Sequence, residues 1–147
     1  MSECFDRPPN TPPPLVSWRT RPQSFGALMA IYEDNYGRLS RLMGGFGHIA
    51  PTTVSSIEGD CDLKITLIER TPYTITLQLT YEFLPQTELN DAPNLCVRIF
   101  EDARLCSAEA MMDHPNARTL AARWQRNIFL NKWLEYLWDR GYTLSKQ

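Results

Sequence analysis

Residues 72–83 alternate without a break. Tyr73, Ile75, Leu77, Leu79, Tyr81 and Phe83 are apolar, and Thr74, Thr76, Gln78, Thr80 and Glu82 between them are polar. A helix turns about 100° per residue and would spread the apolar members around its circumference. A strand puts them all on one face, so the stretch reads as a strand with one side in a core and the other in water. Its β-branched and aromatic content suits that half-buried surface. The rest of the chain can be placed around it.

Residues 63–69 form the preceding strand, with Leu63, Ile65 and Leu67 inward, and Arg70-Thr71-Pro72 turns it into an antiparallel hairpin. Residues 95–100 form a third strand, with Leu95, Val97 and Ile99 inward and Arg98 outward. Residues 105–111 form a fourth, whose small Cys106, Ala108 and Ala110 face in and let a helix approach closely. A loop punctuated by Pro85 and Pro93 separates the second and third strands. The Gly/Ser/Thr-rich stretch 46–60 is a linker with room for a short edge strand near residues 53–57.

Two helices flank this sheet. Residues 24–43 carry Phe25, Leu28, Met29, Tyr32, Tyr36, Leu39, Leu42 and Met43 at spacings of three and four, an apolar stripe. Ser24 is the expected N-cap and Gly44-Gly45 the stop. Gly37, costly inside a helix, marks an expected close approach to another element. Residues 118–140 form the second helix, ended by Gly141. Leu120, Trp124, Leu130, Leu134, Leu137 and Trp138 share one face, and Phe129, Trp133 and Tyr136 fall on nearly the opposite one. A helix apolar on two sides is buried twice or offers one side to a partner.

The expected fold is therefore α+β: a four-stranded antiparallel meander with both helices on one face. Residues 1–22 hold six prolines and read as an extended arm, 23–141 as a single domain and 142–147 as a tail. No apolar run approaches the ~20 residues a membrane span needs. The N-terminus has no signal-peptide core, so Cys4, Cys61, Cys96 and Cys106 are expected as reduced packing thiols in a cytoplasm. Charge is uneven: residues 58–114 hold eleven acids and four bases, and residues 115–147 hold six bases and two acids. The two regions should attract each other, or the basic one should meet an acidic partner.

Motifs for chemistry are scarce. Gly44-Gly45-Phe46-Gly47 lacks the Lys and Ser/Thr of a phosphate loop. His48 and His114 stand far apart with no Cys or carboxylate at metal-ligand spacing. No nucleophile elbow is present. The acidic sheet region lacks the aromatic strand of an RNA-recognition module, so nucleic acid is not expected as a partner. No cofactor or metal is expected.

Several strings resemble a known family. Leu28-Met29, Tyr32-Glu33, Asn35-Tyr36 and Arg38-Leu39 resemble the opening of DUF1249, a family of small bacterial proteins of unknown function. The alternation through Leu63, Ile65, Leu67, Glu69, Thr71 and Tyr73-Thr74 resembles its first hairpin. Val97-Arg98, Phe100 and Asp102-Ala103 resemble its third-strand signature, and Pro115-Asn116, Asn127, Phe129-Leu130 and Trp133-Leu134 its last segment. Two positions depart from the pattern. Ala121-Ala122-Arg123 stands where the family carries Asp-Glu-Lys, and Ser107 stands where it favours Glu. The resemblance implies a bacterial cytoplasmic protein and no particular activity.

The residues support a non-enzymatic interaction or regulatory domain, with a protein partner or a second copy as its target. The alternative is a small-ligand binder, for a nucleotide or metabolite, with its pocket between helices and sheet near Asn35, Asn127 and Trp133. An enzyme would need an acid pair such as Asp102 and Glu109 in a cleft. Arg98 is the one long donor with a planar fork on the outward sheet face, suited to a carboxylate or phosphate. Asn127 lies on an apolar helix face and is expected to bond a backbone group. The candidate contact residues are thus Arg98, Asp102, Asn127, Trp133 and Asn35.

Overall fold

The computed structural model describes residues 24–82, 94–110 and 115–143. The proline-rich arm, most of the loop between the second and third expected strands, and residues 144–147 lie outside them. In chain order the elements are α1 (Phe25–Met43), β1 (Thr52–Ser55), β2 (Asp62–Arg70), β3 (Thr74–Glu82), β4 (Asn94–Phe100), β5 (Leu105–Glu109), a 3-10 turn (Pro115–Arg118) and α2 (Leu120–Arg140). The strands form one antiparallel sheet in the order β1-β2-β3-β4-β5.

The alternating stretch is the central strand β3. Ile75, Leu77 and Leu79 are fully buried, and so are Leu63 and Ile65 of β2, Val97 and Ile99 of β4, and Cys106 and Ala108 of β5. The α1 residues Leu39 and Leu42 and the α2 residues Leu130, Leu134 and Leu137 close over them in one cluster. Each large side chain so buried stabilises the fold by about 1.5–3 kcal/mol relative to exposure. Both helices thus cover one face of the sheet.

Five strands, not four, make the sheet. β1 pairs with β2 over Thr52↔Thr66 to Ser55↔Leu63. Its burial runs against polarity: Val54 is exposed and Ser55 buried, so no apolar alternation marks it as a strand. Its backbone bonds to β2 hold it in place. In β2 a register shift between Leu67 and Glu69 bulges Ile68 outward, which explains an exposed isoleucine. Tyr73, the first member of the alternation, sits in the turn before β3 and is exposed.

The helix ends match their residue chemistry. Ser24 Oγ accepts from Ala27 N–H at 3.0 Å, and Gly44 closes α1 at φ 71°. Thr119 Oγ1 accepts from Ala122 N–H at 3.1 Å, and Gly141 closes α2 at φ 95°. The buried face of α1 is rotated from the expected stripe. Phe25 is exposed, and Ala27, Ile31 and Asn35 are buried in its stead. Gly37 is exposed, and a methyl group placed on it would meet nothing within 4 Å, so no close approach explains it. In α2, Trp133 is buried in the core, whereas Leu120, Phe129, Tyr136 and Trp138 are exposed.

Candidate functional site

Asn35, Asn127 and Trp133 are buried and line neither of the two clefts described below. Asn35, Asn127 and Asn131 are fully buried and tie the helices to each other and to β5. Asn131 Nδ2 donates to Asn35 Oδ1 at 3.0 Å and to Asp34 Oδ2 at 2.6 Å, and Asn35 Nδ2 donates to Asn127 O at 3.4 Å. Asp34 also pairs with Arg38 at 2.8 Å. Asn131 Oδ1 and Trp133 Nε1 are buried without a partner. Trp133 packs edge-on to Tyr81, with ring centroids 5.9 Å apart. Asp102 sits in the exposed turn after β4.

Asn127 completes the edge of the sheet. β5 is an outer strand, and the backbone of Ala108 points away from β4 toward α2. Asn127 Oδ1 accepts from Ala108 N–H at 2.8 Å, and Asn127 Nδ2 donates to Ala108 O at 3.5 Å and to Arg123 O at 2.9 Å. One amide side chain thereby stands in for the next strand and seals an edge that would otherwise pair with another chain. Arg126 adds a second clasp: its Nε donates to Ala108 O at 3.3 Å and its Nη1 to Ala117 O at 2.8 Å.

Arg126 also lines a cleft of about 760 Å3 at this edge. β4 supplies Cys96, Arg98 and Phe100 on its outward side, and β5 supplies Ser107 and Glu109. The strand register sets Cys96 opposite Glu109 and Arg98 opposite Ser107. The 3-10 turn brings Ala117 and Arg118, α2 brings Arg123 and Arg126, and Tyr32 of α1 closes one side. Four guanidinium groups and one carboxylate line it among the described residues. The side chains of Arg98 and Arg123 take part in no hydrogen bond or ion pair among the described residues. Burial and the Glu109 carboxylate raise the Cys96 thiol above its ordinary pKa, against the pull of Arg98. At neutral pH that thiol stays neutral, a poor nucleophile.

Two other features compete for attention. A cleft of about 860 Å3 runs between the Gly44–Ala50 segment and β1, lined by glycines, serines, threonines and His48, with no carboxylate, Lys or Arg among its described residues. Near the end of α2, Asp60 gathers hydrogen bonds from Tyr81, from Tyr136 at 2.9 Å and from Arg140 at 3.0 Å. Tyr142 bonds Tyr81 and the carbonyl of Cys61. Burial alone would raise Asp60. The bonds from Tyr81, the Cys61 N–H, Tyr136 and Arg140 outweigh it and hold the carboxyl at about 2. This cluster fastens α2 to the loop before β2, where the acidic and basic halves of the chain meet. Among the described residues no group of three His, Cys, Asp or Glu side chains is placed to hold a metal. No described helix is long and apolar enough to cross a membrane.

A family model described as a protein of unknown function, DUF1249, matches residues 38–143. The chain belongs to the DUF1249 family. No curated protein and no solved structure matches it. The DUF1249 match spans all five strands and α2, and hence every described residue of the arginine cleft but Tyr32. Ser107 and Arg123 both line that cleft.

Of the five candidate contact residues, the cleft takes up Arg98 alone, and Glu109 of the acid pair lines it without Asp102. Arg118, Arg123 and Arg126 were visible only as part of a basic C-terminal segment. Their convergence on β5 follows from the packing of α2, which no local pattern encodes.

Proposed function

We propose that this protein is a non-enzymatic binding domain that captures an anionic group, a phosphate or a carboxylate, in the arginine cleft. The carrying observation is the set of four guanidiniums around one concavity with Arg98 and Arg123 unpaired. Guanidinium stays charged at any physiological pH and offers a fork that matches an oxyanion, so the set suits binding and not proton transfer. Arg126 is held by two backbone carbonyls, which reduces the entropy lost on capture. The compartment that goes with this reading is the bacterial cytoplasm, where Cys61 and Cys96 stay reduced. Calorimetric titration with pyrophosphate at low ionic strength tests the reading, because screening weakens such contacts. Saturable binding that falls at least tenfold in Arg98→Glu/Arg123→Glu is expected. No binding at millimolar pyrophosphate, or the same affinity in the variant, refutes it.

A second reading concerns partners. Phe129 and Tyr136 are each 45 % exposed on α2, an apolar strip available to a protein partner or a second copy. A concentration-dependent sedimentation coefficient that disappears in Phe129→Ser would support self-association through it.

A further inference from the structure

We infer that the ligand of the arginine cleft is a nucleoside monophosphate, an assignment that rests on the anion-binding reading of the same site. The cleft is not uniformly basic. Glu109 lines it together with the four arginines, yet no ion pair joins them. A carboxylate left unpaired beside guanidiniums weakens a site for a bare anion. It strengthens a site for a ligand that brings an anion at one end and hydrogen-bond donors at the other. Sugar hydroxyls and exocyclic amines are such donors. The lining also includes two half-buried aromatic rings, Tyr32 and Phe100, and neither is stacked on another ring among the described residues. Rings in a wet, charged cleft offer a planar base a face to stack on, at about 1–3 kcal/mol per base. The volume of about 760 Å3 lies inside the range of roughly 300–1,000 Å3 typical for small-ligand sites, and far exceeds what a lone phosphate fills.

A nucleic acid strand fits less well. Residues 58–114 carry eleven acids against four bases. The net negative charge of that segment opposes a polyanion longer than the cleft. A single nucleotide stays within the arginines.

Three probes of similar charge separate the contributions: inorganic phosphate, ribose 5-phosphate, and the set AMP, GMP, CMP and UMP. Calorimetry on the full chain is expected to show affinity rising from phosphate to ribose 5-phosphate, and at least tenfold further for one of the nucleotides. Glu109→Gln then divides the probes by sign. Loss of the negative charge should tighten inorganic phosphate severalfold, while the nucleotide loses severalfold as its hydroxyl or amine contact weakens. Arg98→Glu should reduce all three. If phosphate binds and is lost in Arg98→Glu, but no nucleotide exceeds it, the nucleotide assignment is overturned and the anion reading survives. If Glu109→Gln tightens phosphate and nucleotide equally, the assignment is likewise overturned. If no probe binds, both fall.

Discussion

Replacing Asn127 with alanine tests how the open edge of the sheet is closed. Ala108 and Asn127 are both fully buried, so water cannot take over the lost bonds without opening the structure. The Ala108 N–H loses its 2.8 Å acceptor, and an unsatisfied buried donor costs about 1–3 kcal/mol. The Ala108 carbonyl keeps its 3.3 Å bond from Arg126, so the weak 3.5 Å bond from Asn127 adds little. The Arg123 carbonyl lies within α2 and loses only its additional bond from the amide. A net loss of about 2–3 kcal/mol follows, dominated by the orphaned N–H. For a chain of this size that is a fall in Tm of roughly 4–12 °C. Urea and thermal unfolding followed by far-UV dichroism measure it. Asn127→Asp is the companion variant. It retains the acceptor for Ala108 but places an oxygen against the carbonyls of Ala108 and Arg123, so at pH 7 it too must lose stability. Its deficit should narrow as acid protonates the carboxyl and restores a donor. A loss below about 0.5 kcal/mol in Asn127→Ala would sink the reasoning, because the smallest cost of an orphaned buried N–H is larger.

Gly37→Ala should stabilise the protein by about 0.5–1 kcal/mol, because the position is an exposed helix interior where a methyl group meets nothing; a loss of stability in urea would reveal a contact on that face. The Asp60 carboxyl, held at about 2 against an ordinary 3.8, contributes stability that is complete above about pH 4 and drains away as the pH falls toward 2. Asp60→Asn should flatten that part of the profile, as urea unfolding between pH 2 and 5 will show. Arg123→Glu should raise the stability of the free protein by about 0.5 kcal/mol while weakening pyrophosphate binding.

Much of the fold was legible because its largest elements repeat one rule. β3 and β2 alternate cleanly, since one side meets helices and the other meets water. β1 registered only as room for a short edge strand near residues 53–57, because Val54 points out and Ser55 in, so its strand character is written in backbone pairing with β2 and not in side-chain polarity. Trp133 escaped for the opposite reason. Its helical position set it beside Phe129 and Tyr136, but Tyr81 packs edge-on against its ring and both belong to the core cluster. The buried asparagines were visible as polar residues on an apolar face, and Asn127 has the backbone partner that such a residue needs. The cleft was legible only in Arg98 and Glu109, named for separate reasons. A site assembled from β4, β5, a 3-10 turn and two helices has no spacing of its own in the sequence.

The placement of charge separates what holds the fold from what the cleft is proposed to do. At the C-terminal ends of the helices, Arg41 and Arg140 sit where the backbone dipole is negative, and Arg140 also pairs with Asp60 at 3.0 Å. Stability favours arginine there. At the start of α2 the preference reverses. The unpaired N–H groups make that end positive, and the first turn holds no acid to offset them. Yet Arg118 precedes the N-cap and Arg123 follows the first turn, with Arg126 one turn further on. Arg123, nearest of the unbonded guanidiniums to that end, repels the dipole at a cost of a few tenths of a kcal/mol. On the proposed reading an oxyanion held beside it offsets that cost, because it pairs with the guanidinium and faces the positive helix end. For that reason Arg123→Glu is expected to move stability and affinity in opposite directions. A variant that loses both would place Arg123 in the architecture and not in the site.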